Sequence, residues 1–361
     1  MSLYHAVADL SFTLETVAHH QHRADTTSGF ERATTEFVLS GAGETGRGED
    51  VTYAVSAHDR LAKANNDNDN DNDRDTDNDH DLDFPAGEYS FDEFSGLLAD
   101  TTLFPAGQPP DPLARNHRRW GLESAALDLA LCQAGQSLPE RLERTTEPVR
   151  FVVSTRLGEP PTIDRVERLL EADPTLEFKL DPTMAWPEVL FERLRATDAV
   201  RVLDLKGWYE DTEAAVEADP ELYRDVFAAF PTEVVEDPAI TPETQPLVAP
   251  QADRLSFDYP VASVDDLRSL PVDPGWCNIK PSRFGSVQSL FETIEHCQDQ
   301  NISCYAGGQF ELGVGRSQIQ TLAALFYPDG PNDVAPRAFN NPEHSGTYPT
   351  SPLAAPTGFG R

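Results

Sequence analysis

The sequence predicts an α/β protein, a modified (β/α)8-type, TIM-like barrel preceded by an N-terminal α+β capping domain. Three observations predict it. Eight short apolar runs recur near 149–155, 176–181, 199–205, 232–236, 254–258, 276–280, 302–306 and 332–335. Helical periodicity fills the intervals at 164–172, 187–196, 220–230, 264–270, 287–300 and 316–326, and only 242–250 makes a poor helix. Such alternation argues for parallel strands joined by helical crossovers, and eight strands suggest closure into a barrel, with an open doubly wound sheet as the alternative. Ahead of this series, short alternating runs indicate a small sheet of a different kind.

Taken in order, residues 1 to about 62 alternate apolar and polar over 4–12 and 34–39, with a glycine-rich turn between 41 and 49. They read as antiparallel strands with a tight turn. From 65 to 83 the chain is almost pure Asn and Asp, and no apolar residue precedes Leu82. It cannot bury enough surface to offset chain entropy, so the 64–83 stretch is expected as a disordered loop rather than a calcium loop. Helical patterns follow over 91–98 and 120–134. The expected division is a capping domain over 1–118, a barrel over 119–339, and an extended, poorly ordered tail rich in Pro, Ser, Thr and Gly over 340–361.

Charge narrows the range of partners. With 28 Lys+Arg against 62 Asp+Glu the net charge is −34, a field that repels nucleic acid and anionic lipid. No stretch approaches the ~18 uncharged apolar residues of a membrane span. The N-terminus lacks a basic start and apolar core, and four isolated cysteines form no CxxC pair, so a reducing, cytoplasmic setting is expected. Lys63, Lys179, Lys206 and Lys280 are the only lysines. An acidic, lysine-poor chain suits high salt, where counterions screen self-repulsion. The purified protein is therefore expected to unfold in dilute buffer and to fold in molar KCl, which circular dichroism against salt concentration checks.

In a β/α barrel the reacting groups sit where strands end. Lys179 and Asp181 close the second run, Asp204 and Lys206 the third, Glu236 the fourth, Asp258 the fifth, Lys280 the sixth, and Gln309 and Glu311 follow the seventh. Three of the four lysines fall at such positions. Arginine supplies positive charge but cannot lose its proton, so lysine there suits base chemistry. Asp204, Glu236 and Asp258, ending consecutive strands, suit a hard divalent cation such as Mg2+.

These residues resemble the enolase superfamily, specifically its muconate-lactonizing and o-succinylbenzoate-synthase-like branch. The resemblance extends to the GxGxxGxGE turn ending at Glu49, to the helix around Ala125, Ala126, Leu127 and Asp128, and to the Lys280-Pro281-Ser282-Arg283-Phe284-Gly285 stretch. It implies Mg2+, or Mn2+, held by Asp204, Glu236 and Asp258. It also implies Lys280 as acid or base, Lys179 as the first lysine of a KxK motif, and a substrate contact in the loop of Gln309 and Glu311. The implied activity is that of a lyase or isomerase, which removes a proton α to a carboxylate of a small acid.

Three positions depart from the pattern. Asp181 replaces the second KxK lysine, Lys206 stands where the superfamily usually has asparagine, and Tyr259 replaces a common glutamate. With Asp181 in place of a base, one-base elimination such as dehydration or cycloisomerisation is favoured, with Lys280 alone or with Lys206 substituting. Lys206 could instead pair with Asp181 or Glu236 and weaken the metal, which makes a non-catalytic anion-binding relative the rival reading; o-succinylbenzoate synthase is the third. Arg156 and Arg283 follow the first and sixth strands, where they could bind a substrate carboxylate or form ordinary surface pairs. The four tryptophans read as packing groups, although Trp208 and Tyr209 follow the third strand closely enough to line a pocket, and His19, His20 and His22 read as an exposed polar loop. A homo-oligomer is left open.

Overall fold

The computed structural model describes residues 2–67, 82, 84–105, 107–209 and 216–360. The Asn/Asp-rich stretch expected as a loop over 64–83 lies outside the described residues, apart from the end of one helix and Leu82.

The chain opens with α1 (Leu3–Ala8), where a strand was expected over 4–12. Leu3, Tyr4 and Val7 are buried at helical spacing, and Ser2 accepts the His5 N–H as N-cap at 3.3 Å. The strand there is shorter: β1 (Ser11–Leu14) pairs antiparallel with β5 (Gly87–Ser90). Between them β2 (Thr16–Asp25), β3 (Glu31–Gly41) and β4 (Glu44–Asp50) form an antiparallel sheet in the order β2-β3-β4, and α2 (Val55–Asp67) follows. Ala42 and Gly43, both at positive φ, make the two-residue turn between β3 and β4. His19, His20 and His22 lie on β2 and not in a loop, a correction to the expectation.

Ser90 starts α3 (Phe91–Asp100) with a capping box closed by Glu93. The long α4 (Ala114–Ala134) stops at Gly135 in the left-handed region. Strand β4 lies flush on α4 because Gly48 has no side chain: a Cβ there would sit 2.1 Å from the Gly121 carbonyl oxygen. Gly46 meets the same helix, where a Cβ would sit 2.1 Å from the Leu129 nitrogen.

After the short α5 (Leu138–Arg141) the barrel begins. Its strands are β6 (Val152–Thr155), β7 (Glu177–Leu180), β8 (Val200–Asp204), β9 (Val234–Glu236), β10 (Leu255–Phe257), β11 (Trp276–Ile279) and β12 (Ser303–Ala306). All are parallel and pair in chain order. The crossovers are α6 (Asp164–Ala172), α7 (Glu188–Ala196), α8 (Pro220–Ala229), the single turn α9 (Gln245–Val248), α10 (Val264–Arg268), and α11 (Pro281–Phe284) with α12 (Val287–Gln300); α13 (Gly315–Phe326) follows β12.

The expected eighth strand over 332–335 is reduced to single bridges, Phe151 to Asn332 and Gly307 to Asp333. Pro331 and Pro336 flank it, and proline carries no N–H for a ladder. The Asn332 side chain compensates: fully buried, it accepts the Ala306 N–H at 2.7 Å and donates to the carbonyls of Arg150 and Gly330, both at 2.9 Å. Asn332→Ala leaves these groups without partners and is expected to cost about 3 kcal/mol, read as a lower denaturant midpoint. The 340–361 tail is extended but pinned, with Leu353 bridging Val149, Gly360 bridging Ser137, and Phe359 buried.

Candidate active site

Side chains alternate along a strand, so residues two apart share a face. That parity sets Val202 beneath Asp204, Val234 beneath Glu236, Ser256 beneath Asp258, and Trp276 beneath Asn278 and Lys280. Val202, Val234 and Tyr305 pack together inside the barrel against Trp276, and the charged groups form the next layer toward the strand ends.

Asp204, Glu236 and Asp258 are each fully buried. Lys179 Nζ lies 2.5 Å from Glu236 Oε1, 3.2 Å from Asp204 Oδ2 and 3.6 Å from Asp333 Oδ2. Asn278 Nδ2 donates to Glu236 Oε2 at 3.2 Å, and the Tyr305 hydroxyl donates to the same oxygen. Lys206 Nζ donates to Asp204 Oδ2 and stands 3.6 Å from Asp181 Oδ1. Lys280 Nζ donates to Asp258 Oδ2 at 2.6 Å, joined there by Tyr209 OH at 2.8 Å and Arg283 Nη2 at 3.3 Å. Lys280 reaches across because residue 307 is glycine: a Cβ there would meet Lys280 Cε at 2.6 Å.

The carboxylates divide by environment. Burial raises the cost of ionising Asp204, but the ammonium groups of Lys206 and Lys179 outweigh it and hold the carboxyl below its usual range. Burial likewise opposes Asp258, yet Arg283 and Lys280 bring it to about 2. Glu236 goes the other way: burial pushes it up to about 7, Lys179 offsets only part of that, and Asp204 adds to it. Asp237 is raised well above the usual range by burial and then by Asp258 and Asp204. Lys179 and Lys206 hold their protons more tightly than free lysine, since facing carboxylates overcome the cost of burial.

The residues fit a divalent cation. Oxygens of Asp204, Glu236 and Asp237 fall within 4.8 Å of one another among the described residues, and Asp258 Oδ1 is buried with no partner. Buried carboxylates this close repel one another, and hard oxygen donors suit such an ion. Asp237 was missed in the sequence. Its two oxygens accept the N–H groups of Asp258 at 2.8 Å and Tyr259 at 3.0 Å, which ties it to the fifth strand end.

Of the other expected residues, Asp181 and Arg156 pair at 3.5 Å at the rim, Arg156 with its side chain 55% exposed. Arg283 is buried, with Nε and Nη1 unpartnered and its guanidinium 5.1 Å from the Tyr259 ring centroid. Gln309 and Glu311 turn inward to hold their own loop. Gln309 Nε2 donates to Ser282 Oγ at 3.2 Å and lies 3.0 Å from His117 Nε2, while Glu311 Oε1 accepts the Gln309 N–H at 2.6 Å. Burial lowers His117 to about 3, so it is a neutral partner. Asn278, Tyr305 and His117 went unnoticed in the sequence, although strand parity from Lys280 and Gly307 points to the first two.

The N-terminal sheet closes on this end of the barrel. Buried Glu49 of β4 accepts the N–H groups of Leu312, Gly313 and Gly315 at 2.7, 2.9 and 2.8 Å, and buried Arg32 of β3 donates to the Gln309 carbonyl at 3.2 Å.

Similar proteins share this architecture. An unknown member of the enolase superfamily from Enterococcus faecalis V583 superposes with a TM-score of 0.66, at 17% identity over 96% of this chain and 94% of that one. The muconate lactonizing enzyme of Pseudomonas putida superposes at 0.60, with 15% identity over 88% and 86% of the two chains. In sequence, o-succinylbenzoate synthase of Bacillus subtilis (strain 168) is 26% identical over 237 residues, a match spanning 63% of this chain and 62% of that enzyme. Residues 5–141 and 145–341 match the N-terminal and C-terminal domains of a family described as a domain of unknown function, DUF8230. A curled parallel barrel sheet, a capping sheet clasped over its strand ends and these two matches together make this chain a member of the DUF8230 family with the enolase-superfamily fold.

Proposed function

We propose that this protein is an Mg2+-dependent lyase or isomerase that removes a proton α to the carboxylate of a small acid by one-base chemistry. The observation carrying the reading is Lys280 Nζ, buried beside Asp258 at 2.6 Å, at the end of a strand series that also delivers Asp204 and Glu236. Asp204, Glu236 and a third carboxylate, Asp258 or the adjoining Asp237, would hold the ion. When bound, it stabilises the negative charge that develops as the α-proton leaves.

Lys280 is the group that takes the proton. It stands at the end of the sixth strand, and the acidic Asp181 occupies the second-strand position from which a facing base would act. A single base favours elimination or cycloisomerisation over racemisation, which needs proton transfer on both faces. Arg283, whose Nη2 is held by Asp258 while the buried Nε and Nη1 have no partner, offers a donor to an anionic substrate group. Tyr209 and Tyr259, with ring centroids 4.5 Å apart, give that region an aromatic wall.

Incubating a panel of carboxylic acids in D2O with Mg2+ tests the reading. At least one acid is expected to exchange its α-proton, and chelation of the metal is expected to stop exchange. If no acid exchanges, the proposal is wrong. o-Succinylbenzoate synthase activity is the second reading, favoured by the Bacillus subtilis relative and opposed by Asp181; formation of o-succinylbenzoate is its direct assay.

A further inference from the structure

The third strand ends in an unusual way. Lys206 has φ 53, a left-handed conformation that asparagine and glycine adopt more readily than lysine. That backbone brings both ends of the residue onto one carboxylate. The Lys206 N–H donates to Asp204 Oδ1 at 3.1 Å, and Nζ donates to Oδ2. Lys179 also faces Oδ2, at 3.2 Å. Both oxygens of a candidate metal ligand are thus already engaged, one by an ammonium. A second carboxylate stands ready for that ammonium: Asp181 Oδ1, 3.6 Å from Nζ, with the Tyr209 ring centroid 5.2 Å away.

We infer that Lys206 is a built-in competitor for the metal, a tethered cation that occupies Asp204 in the ion-free protein and transfers to Asp181 when a divalent ion binds. The inference rests on the metal-site reading above. Its logic is population arithmetic. An ion can use Asp204 only in molecules where Lys206 has left, so the apparent affinity is the intrinsic one reduced by that fraction. Asp181 sets the fraction, because it stabilises the displaced ammonium. Aspartate at 181 and lysine at 206 are therefore one device, whose two parts follow adjacent strands. The device makes ion binding readily reversible, and it keeps the carboxylate layer compensated while no ion is present.

The two residues are predicted to act in opposite directions, which a purely structural role does not produce. Mn2+ alone, titrated into the metal-free full-length protein and followed by the electron paramagnetic resonance signal of the free ion, reads the affinity without any turnover. Lys206→Asn is expected to tighten Mn2+ binding about tenfold or more, the factor that follows if Lys206 occupies Asp204 in roughly nine molecules of ten. Asp181→Asn is expected to loosen it in the parent and to have no effect in the Lys206→Asn background. Lys206→Gln, checked with Lys206→Asn for native circular dichroism, serves if the asparagine variant does not fold. Binding by the Lys206 variant with none by the parent also supports the inference. Equal affinity in parent and Lys206 variant, or the same loosening by Asp181→Asn in both backgrounds, overturns it and leaves the metal site standing. No Mn2+ binding by any variant overturns the metal-site reading and the inference together.

Discussion

Lys280→Ala is expected to lower α-proton exchange of an accepted acid by about 10^2 to 10^4, the usual contribution of a positioned general base. The methyl group has no proton acceptor, and the other two strand-end lysines are engaged by carboxylates. Lys179 bridges Glu236 and Asp204, while Lys206 is held between Asp204 and Asp181. Lys280→Arg is expected to be nearly as inactive, because guanidinium does not release its proton near neutral pH. Binding of Mn2+ should persist in both variants, which separates loss of the base from loss of the site. Exchange measured by proton NMR in D2O decides the matter, and undiminished exchange in Lys280→Ala would remove that lysine from the chemistry.

The second large effect is expected at Glu49→Ala. This carboxylate is fully buried and receives three backbone N–H groups from the segment that opens α13. Unsatisfied amide groups at the start of a helix prefer a negative charge, and here the charge comes from a different sheet. Truncation removes three hydrogen bonds and strands their donors away from water. A loss on the order of 3 to 5 kcal/mol is expected, seen as a lower midpoint in chemical denaturation. Glu49→Gln keeps the shape but not the charge and should lose less. The same variants should expose the 307–314 loop to limited proteolysis, since Glu49 and Arg32 together fasten it.

Much of this fold was legible because the barrel is written in short apolar runs with helical stretches between them. Seven of the eight expected strands form, and the helices predicted over 164–172 and 287–300 match α6 and α12 end to end. The eighth run failed for a local reason, since prolines on both sides of Asn332 and Asp333 leave too few donors for a ladder. α1 was read as a strand because six residues hold too little periodicity to outweigh alternation. The histidines of β2 were misread because the strand holds only exposed and part-buried residues, with none buried to mark an inner face. At the site, charged residues that end strands were visible in the sequence, whereas Asn278, Tyr305 and Asp237 were not. Their roles depend on which neighbours they meet across the barrel, and adjacency of that kind is set by register.

The reduced eighth strand has a consequence beyond stability. A barrel closed by single-residue bridges has a seam, and transient opening should begin along it, between the first and seventh strands. Asp333 belongs to that seam and also faces Lys179, which in turn spans Asp204 and Glu236. Breathing of the scaffold at its weakest line is thereby expected to reach the buried carboxylates through one ammonium.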